Sequence, residues 1–255
     1  MAISVLSGLD VAPTAENFLF HFCGDDILSL RSARGGPGLH DLSRDSRALD
    51  RMPNIRELGY IMALFAVLPL LVFYMDGSVK MFILSVQGHR GVSVAQWVSA
   101  AGYGLVDAAF AVTLMAAGLF SGRPREAAAG RLGLFAVIIG GLSVQVLKHL
   151  FCRPRPLARG AGQFFADFPC LGKGSGLVSF PSGHSVTVFA LAYVLARSYP
   201  KWSFAFYALA TMVALSRVYL ATHFLSDVVA GAGIGLFAGW IVCRFAAPPL
   251  ENERN

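Results

Sequence analysis

From residue 58 to residue 246, long apolar runs alternate with short polar stretches. A helix needs about 20 consecutive apolar residues to cross the hydrocarbon core of a bilayer. Six runs fit that requirement, at about 58–75, 98–120, 132–151, 184–199, 203–221 and 227–246. The fourth and fifth are short, or polar at one end. The pattern predicts an all-α, polytopic membrane protein. Residues 56–247 would form a six-transmembrane-helix bundle, with a short polar tail at 248–255.

Residues 1–55 break the pattern. Asp, Arg, Ser, Gly and Pro concentrate at 31–54, and the one apolar patch is Phe18-Leu19-Phe20-His21-Phe22. We expect an extramembrane N-terminal arm, partly ordered, with a short interfacial helix at about 14–30. Between the first two apolar runs, residues 76–96 form an external segment long enough for an amphipathic helix lying over the pocket mouth.

Composition agrees with a membrane assignment. Hydrophobic residues make up 55% of the 255 positions and charged residues 14%, against about 25% charged in soluble domains. The mean hydropathy is +0.59. The net charge of +6 does not signal nucleic acid, because the cations are scattered over short loops with no basic stripe to follow a backbone. A cleaved signal peptide is not expected: residues 1–30 lack a basic start, and Asp10, Glu16, Asp25 and Asp26 interrupt any apolar core. Nor does Glu251–Asn255 contain a lipidation box.

Lys and Arg set the expected orientation, since cytoplasmic loops carry the excess. With both termini inside, 13 of the 21 basic residues lie on the cytoplasmic side. Three of the other eight (Lys148, Arg155 and Arg217) belong to polar clusters at the ends of apolar runs. All these clusters then share the external face.

The first cluster is Lys148 with Arg155-Pro156. Arginine offers a planar donor fork to phosphate oxygens, and lysine a compact point charge. Lys148 alone would equally suit a cation closing a helix and reaching to the headgroups. The second cluster is Pro181-Ser182-Gly183-His184. Proline and serine suit a helix start, where free N–H groups seat an anion; an ordinary cap followed by an interfacial histidine is the plainer alternative. The third is Ser216-Arg217 with His223 and Asp227. A carboxylate four residues after an imidazole on one helix face fixes its tautomer and leaves the other nitrogen free. A polar pair stitching two helices together fits the same residues.

Taken together, Lys148-x6-Arg155-Pro156, Pro181-Ser182-Gly183-His184 and Ser216-Arg217-x5-His223-x3-Asp227 resemble, at every motif position, the type 2 phosphatidic acid phosphatase superfamily. These membrane lipid phosphatases share a site plan with vanadium haloperoxidases. The resemblance covers about residues 58–246. It implies that His223 attacks phosphorus and Asp227 orients it, while His184 protonates the leaving oxygen and then activates water. Lys148, Arg155, Ser182, Gly183 and Arg217 would hold the phosphoryl oxygens.

The implied substrate is a membrane lipid phosphate or diphosphate: undecaprenyl diphosphate, phosphatidylglycerol phosphate or phosphatidic acid, or the 1-phosphate of lipid A. A phosphotransferase moving phosphate between lipids would share the first step. A haloperoxidase, usually soluble, and a non-enzymatic scaffold or transporter fit the sequence less well. No cofactor is expected, and no metal. The six histidines form no HxxxH pair, and His149 points about 100° away from Lys148 on an ideal helix.

Three further signals stand apart from the motifs. Asp107 falls mid-run in the second apolar stretch, where a carboxylate is functional by default. A hydrogen bond to Gln145, Ser143 or a neighbouring tyrosine would also account for it. Cys152 and Cys170 share the loop between the first two clusters and would pair in an oxidising periplasm. That loop also holds Phe164, Phe165, Phe168 and Phe180, suited either to guide a lipid chain or to anchor the loop. Oligomeric state is not encoded in any of these features.

Overall fold

The computed structural model describes residues 55–165, 168, 170 and 178–245. Positions 1–54 of the expected arm, the interfacial helix at 14–30 and the 248–255 tail lie outside the described residues.

The described elements are helical. They run α1 (Ile55–Phe73), α2 (Asp76–Val86), α3 (His89–Ala100), α4 (Gly104–Phe120), α5 (Pro124–Phe151), α6 (Gly183–Ser198), a 3-10 turn (Pro200–Trp202), α7 (Ser203–Tyr219) and α8 (Leu225–Phe245). Extended pairing among these residues is limited to a bridge between Pro154 and Val178.

Two expectations need correction. The run at 98–120 is not one helix: the chain breaks at 101–103, and α3 meets α4 at 46°. Gly102 lies in the break against Val188 and Val213, so close contact with α6 and α7 takes precedence over a continuous apolar run. The segment 76–96 is likewise two helices rather than one. Their link is pinned where the Gln87 side chain donates to the Tyr219 carbonyl at the end of α7, 2.8 Å away.

By length and composition, α5 and α8 each suffice to cross a membrane. The bent pairs Ala63–Phe73 with Asp76–Val86 (63°) and α3 with α4 bring the total to four, if each pair counts as one span. At 16 and 17 residues, α6 and α7 are shorter.

Small residues let the backbones approach. Helix association in lipid depends on close van der Waals packing, because lipid tails are as apolar as leucine. On α8, Gly231, Gly235 and Gly239 form a stripe facing α6: a Cβ at Gly231 would meet the Ser182 carbonyl at 2.7 Å, and one at Gly239 the Ala190 carbonyl at 2.9 Å. Gly140 on α5 lies against Val186 in the same way. Around these contacts, Ala136, Ala190, Val194, Ala238 and Val242 form a buried cluster joining α5, α6 and α8. A second cluster, Val188, Ala192, Ala210 and Val213, joins α6 to α7.

Candidate functional site

The three clusters sit where helices end. Lys148 occupies the last turn of α5 and is buried. The helix stops at Cys152, which takes a left-handed conformation (φ 46°) and donates its N–H to the Lys148 carbonyl at 3.0 Å, satisfying one of the free terminal carbonyls. A disulfide joins Cys152 to Cys170, with Cα atoms 5.8 Å apart. The chain then runs extended through Arg153-Pro154-Arg155, paired with the segment leading into α6. The Ser179 N–H donates to the Arg153 carbonyl at 2.7 Å, and the Ser179 hydroxyl to the Pro154 carbonyl at 3.3 Å. This pairing sets Arg155 beside the Pro181–His184 turn.

Ser182 does not cap α6 through its side chain, contrary to the sequence expectation. Its hydroxyl instead accepts a hydrogen bond from Ser185 at 3.1 Å, and its N–H donates to the Asp227 carbonyl at 3.1 Å. The second and third clusters are therefore joined through backbone.

His223 lies in the turn before α8, not on a shared helix face with Asp227. Ala221, at φ 49°, makes the left-handed step that turns the chain. The N–H groups of Thr222 and His223 then donate to the Arg217 carbonyl at 3.2 and 3.3 Å. Asp227, in the first turn of α8, reaches back so that one oxygen accepts the Phe224 N–H at 2.9 Å, half of a capping box. That same oxygen is 3.7 Å from His223 Nδ1. The separation is an ion-pair distance beyond hydrogen-bond range, and Nδ1 has no other partner among the described residues.

Lys148, Arg155, Arg217 and His223 all lie within electrostatic range of His184. The Tyr103 ring packs edge-on to the His184 imidazole, centroids 5.9 Å apart. Arg217 is aimed by the Ser99 hydroxyl on α3, 2.5 Å from its guanidinium. The Nε atoms of Arg155 and Arg217 are buried without an acceptor among the described residues. Burial holds the His223 imidazole below the ordinary histidine value, against the opposing pull of Asp227. Burial likewise lowers Arg155, with Asp227 again opposing.

Several features were not foreseen from sequence. Arg153, fully buried, bonds to both Asp76 and Asp227, and Ser99 holds Arg217. Asp107 is not mid-helix: it stands in the first turn of α4, where a carboxylate suits the helix dipole. It faces Thr187 on α6 rather than Gln145, Ser143 or a tyrosine. Phe164 and Phe180 pack edge-on to Phe151, which makes them part of the loop's own structure, whereas Phe168 is exposed. His149 points away from the cluster, its Nδ1 2.7 Å from the Gln145 carbonyl.

Residues 130–248 match the model of the PAP2 superfamily, and this stretch contains all three clusters. Over that stretch, a little under half of its length, the chain is similar to that superfamily. It is 38% identical over 101 residues to the lipid A 1-phosphatase of Rhizobium johnstonii, a match covering 40% of this chain and 41% of the relative. It therefore spans less than half the length of that relative. Among solved structures, it is similar to the transmembrane PAP2 type phosphatidylglycerolphosphate phosphatase of Bacillus subtilis. That match has a TM-score of 0.56 and 25% identity, covering 73% of this chain and 96% of the other. Aquifex aeolicus LpxE has the same fold, with a TM-score of 0.53 and 23% identity over 67% of this chain and 95% of the other.

Proposed function

We propose that this protein is a metal-independent lipid phosphatase working through a phosphohistidine at the outer face of the inner membrane. The observation that carries this reading is the joining of the clusters: the Ser182 N–H donates to the Asp227 carbonyl, the Thr222 and His223 N–H groups donate to the Arg217 carbonyl, and Lys148, Arg155, Arg217 and His223 all act electrostatically on His184. Three cations around two imidazoles suit a phosphoryl group whose charge shifts as it transfers.

His223 Nε2 attacks phosphorus, forming a P–N bond as the P–O bond to the lipid breaks. The departing oxygen takes the bond's electron pair and a proton from protonated His184. The positive charge arising on His223 is met by Asp227 at Nδ1. In the second step neutral His184 takes a proton from water, the oxygen attacks phosphorus, and the P–N bond breaks to release phosphate. Lys148, Arg155, Arg217, Ser182 and the Gly183 amide hold the phosphoryl oxygens throughout.

In this reading six segments span the membrane: α1, α4, α5, α6, α7 and α8, with both termini inside. Residues 1–55 form a cytoplasmic arm. The names of the relatives put lipid A 1-phosphate and phosphatidylglycerol phosphate first among substrates, with phosphatidic acid and undecaprenyl diphosphate behind them.

The test is phosphate release by the purified full chain over those four lipids, with EDTA present. Turnover should persist in EDTA and vanish in His223→Ala. A requirement for added magnesium, or full activity in His223→Ala, would overturn the mechanism.

A further inference from the structure

Arg153 occupies one of the six unspecified positions between Lys148 and Arg155, and the reaction above gives it no role. It is nonetheless the largest fully buried side chain among the described residues. A guanidinium removed from water is tolerated only when paired and hydrogen-bonded, and this one is paired twice. One terminal nitrogen donates to Asp76 at 2.7 Å. The other donates to Asp227 at 2.5 Å and to the Ser226 hydroxyl at 2.8 Å. Ser226 closes the ring: its hydroxyl donates to Asp76 at 2.5 Å and its N–H to the other Asp76 oxygen at 3.0 Å. The rings of Phe224, Phe164 and Phe73 surround the guanidinium, with centroids at 4.0, 4.8 and 5.2 Å.

This arrangement decides how Asp227 meets His223. One Asp227 oxygen belongs to Arg153; the other accepts the Phe224 N–H and faces His223 Nδ1. With both oxygens engaged the carboxylate cannot rotate, and its direction is set from behind rather than by the imidazole. Both terminal nitrogens of Arg153 are committed to carboxylates, so it is not a phosphate ligand. Asp76, at the start of α2, holds Arg153 in turn, which ties a helix outside the three motifs to the nucleophile.

We infer that Arg153 and Asp76 are positioning residues for the phosphoryl transfer: they lock the Asp227 carboxylate in the orientation that receives the charge arising on His223. The inference rests on the proposed phosphohistidine reaction. Arg153 also shares the Asp227 charge. Besides Asp227, the charged or titratable groups acting on His223 are Arg217, Arg155 and His184. Without Arg153, Asp227 would present its undivided charge to His223, and the imidazole would take up a proton at higher pH.

The experiment compares Arg153→Met, Arg153→Lys and Asp76→Asn with the unmodified full chain in detergent, using phosphatidylglycerol phosphate. Arg153→Met should lower kcat roughly 10- to 100-fold, the scale of losses when a partner behind an active group is removed. KM should change little, and the acid limb of the pH profile should move upward. Arg153→Lys should recover a large part of kcat, and Asp76→Asn should lose kcat with KM kept. Unchanged kcat in Arg153→Met, a loss confined to KM, or a loss with an unmoved pH profile that Arg153→Lys does not repair would each overturn the inference. If Arg153→Met does not fold, Asp76→Asn decides alone: wild-type kcat there overturns it. His223→Ala, run alongside, separates the two ideas. An active His223→Ala sinks the phosphohistidine reading, whereas an inactive one beside a fully active Arg153→Met sinks only the positioning role.

Discussion

Gly231 on α8 lies against the carbonyl of Ser182, at a distance that leaves no room for a side chain: a Cβ would sit 2.7 Å from that oxygen and 2.9 Å from the Ser185 Cβ. The contact joins the helix that begins after His223 to the helix whose first turn carries His184. Gly231→Ala should cost about 1–3 kcal/mol of stability, the usual penalty for overpacking, and lower turnover by moving the two imidazoles apart. Thermal unfolding and phosphate release, each measured in detergent, check this. Gly141→Ala, which meets nothing within 4 Å, should leave both unchanged.

His223 gives a pH prediction. Its folded value lies below the ordinary histidine value because burial outweighs Asp227. The imidazole therefore stays neutral, and able to attack, below about pH 6.5. Histidine-labelled NMR, with the His223 signal assigned from His223→Ala, should show a midpoint under that value. The linkage runs the same way. As pH falls through about 6.5 the unfolded chain gains a proton that the folded chain refuses, so this group lowers stability with acidification. A midpoint at or above 6.5 would contradict the burial argument.

The disulfide closes a loop with a sequence separation of 18. Cross-links of that span contribute about 3 kcal/mol through chain entropy. Cys170→Ala should lower the melting temperature and weaken phosphate release, since the bond anchors the strand carrying Arg155. Reductant should lower the melting temperature of the native chain and leave that of Cys170→Ala unchanged. Alkylation without reductant, read by mass spectrometry, should leave Cys152 and Cys170 unmodified.

Ser99 aims Arg217. A hydrogen bond to a charged group is worth about 1.5–3 kcal/mol, so Ser99→Ala should raise KM by roughly tenfold or more while kcat changes less. Steady-state kinetics on one lipid phosphate gives the split directly; an unchanged KM would show that Arg217 keeps its aim without Ser99.

The ends of the helices were largely legible from sequence, because the apolar runs stop where the charged motifs begin. The predicted 184–199, 203–221 and 227–246 correspond to α6 (Gly183–Ser198), α7 (Ser203–Tyr219) and α8 (Leu225–Phe245). The break at 101–103 was not legible, because Gly102 is as apolar as its neighbours and only packing against Val188 and Val213 reveals the bend. The residues behind the site escaped for a different reason. Asp76 and Ser226 are 150 positions apart, and no local period links them. Arg153 did leave a signal: it is a cation flanked by a cysteine and a proline in a protein that carries few charges. Asking which carboxylates must accompany it into the interior would have pointed to Asp227, and to Asp76 as the first acid after the opening apolar run.

The segment from Lys148 to Pro156 has a consequence for anyone altering this chain. Along its extended part, side chains alternate in direction: Arg153 and Arg155 share one parity, and Pro154 between them pairs with Val178. Inserting or deleting one residue there would exchange the parities and aim the Arg153 guanidinium away from Asp76 and Asp227, in a stretch where Pro154 and Pro156 are buried as well. Tolerance of length change should therefore be near zero across 152–156 yet ordinary a few positions on, around Arg159 and Gly160, where the backbone is exposed and turning. A label or epitope belongs at that second place, never the first.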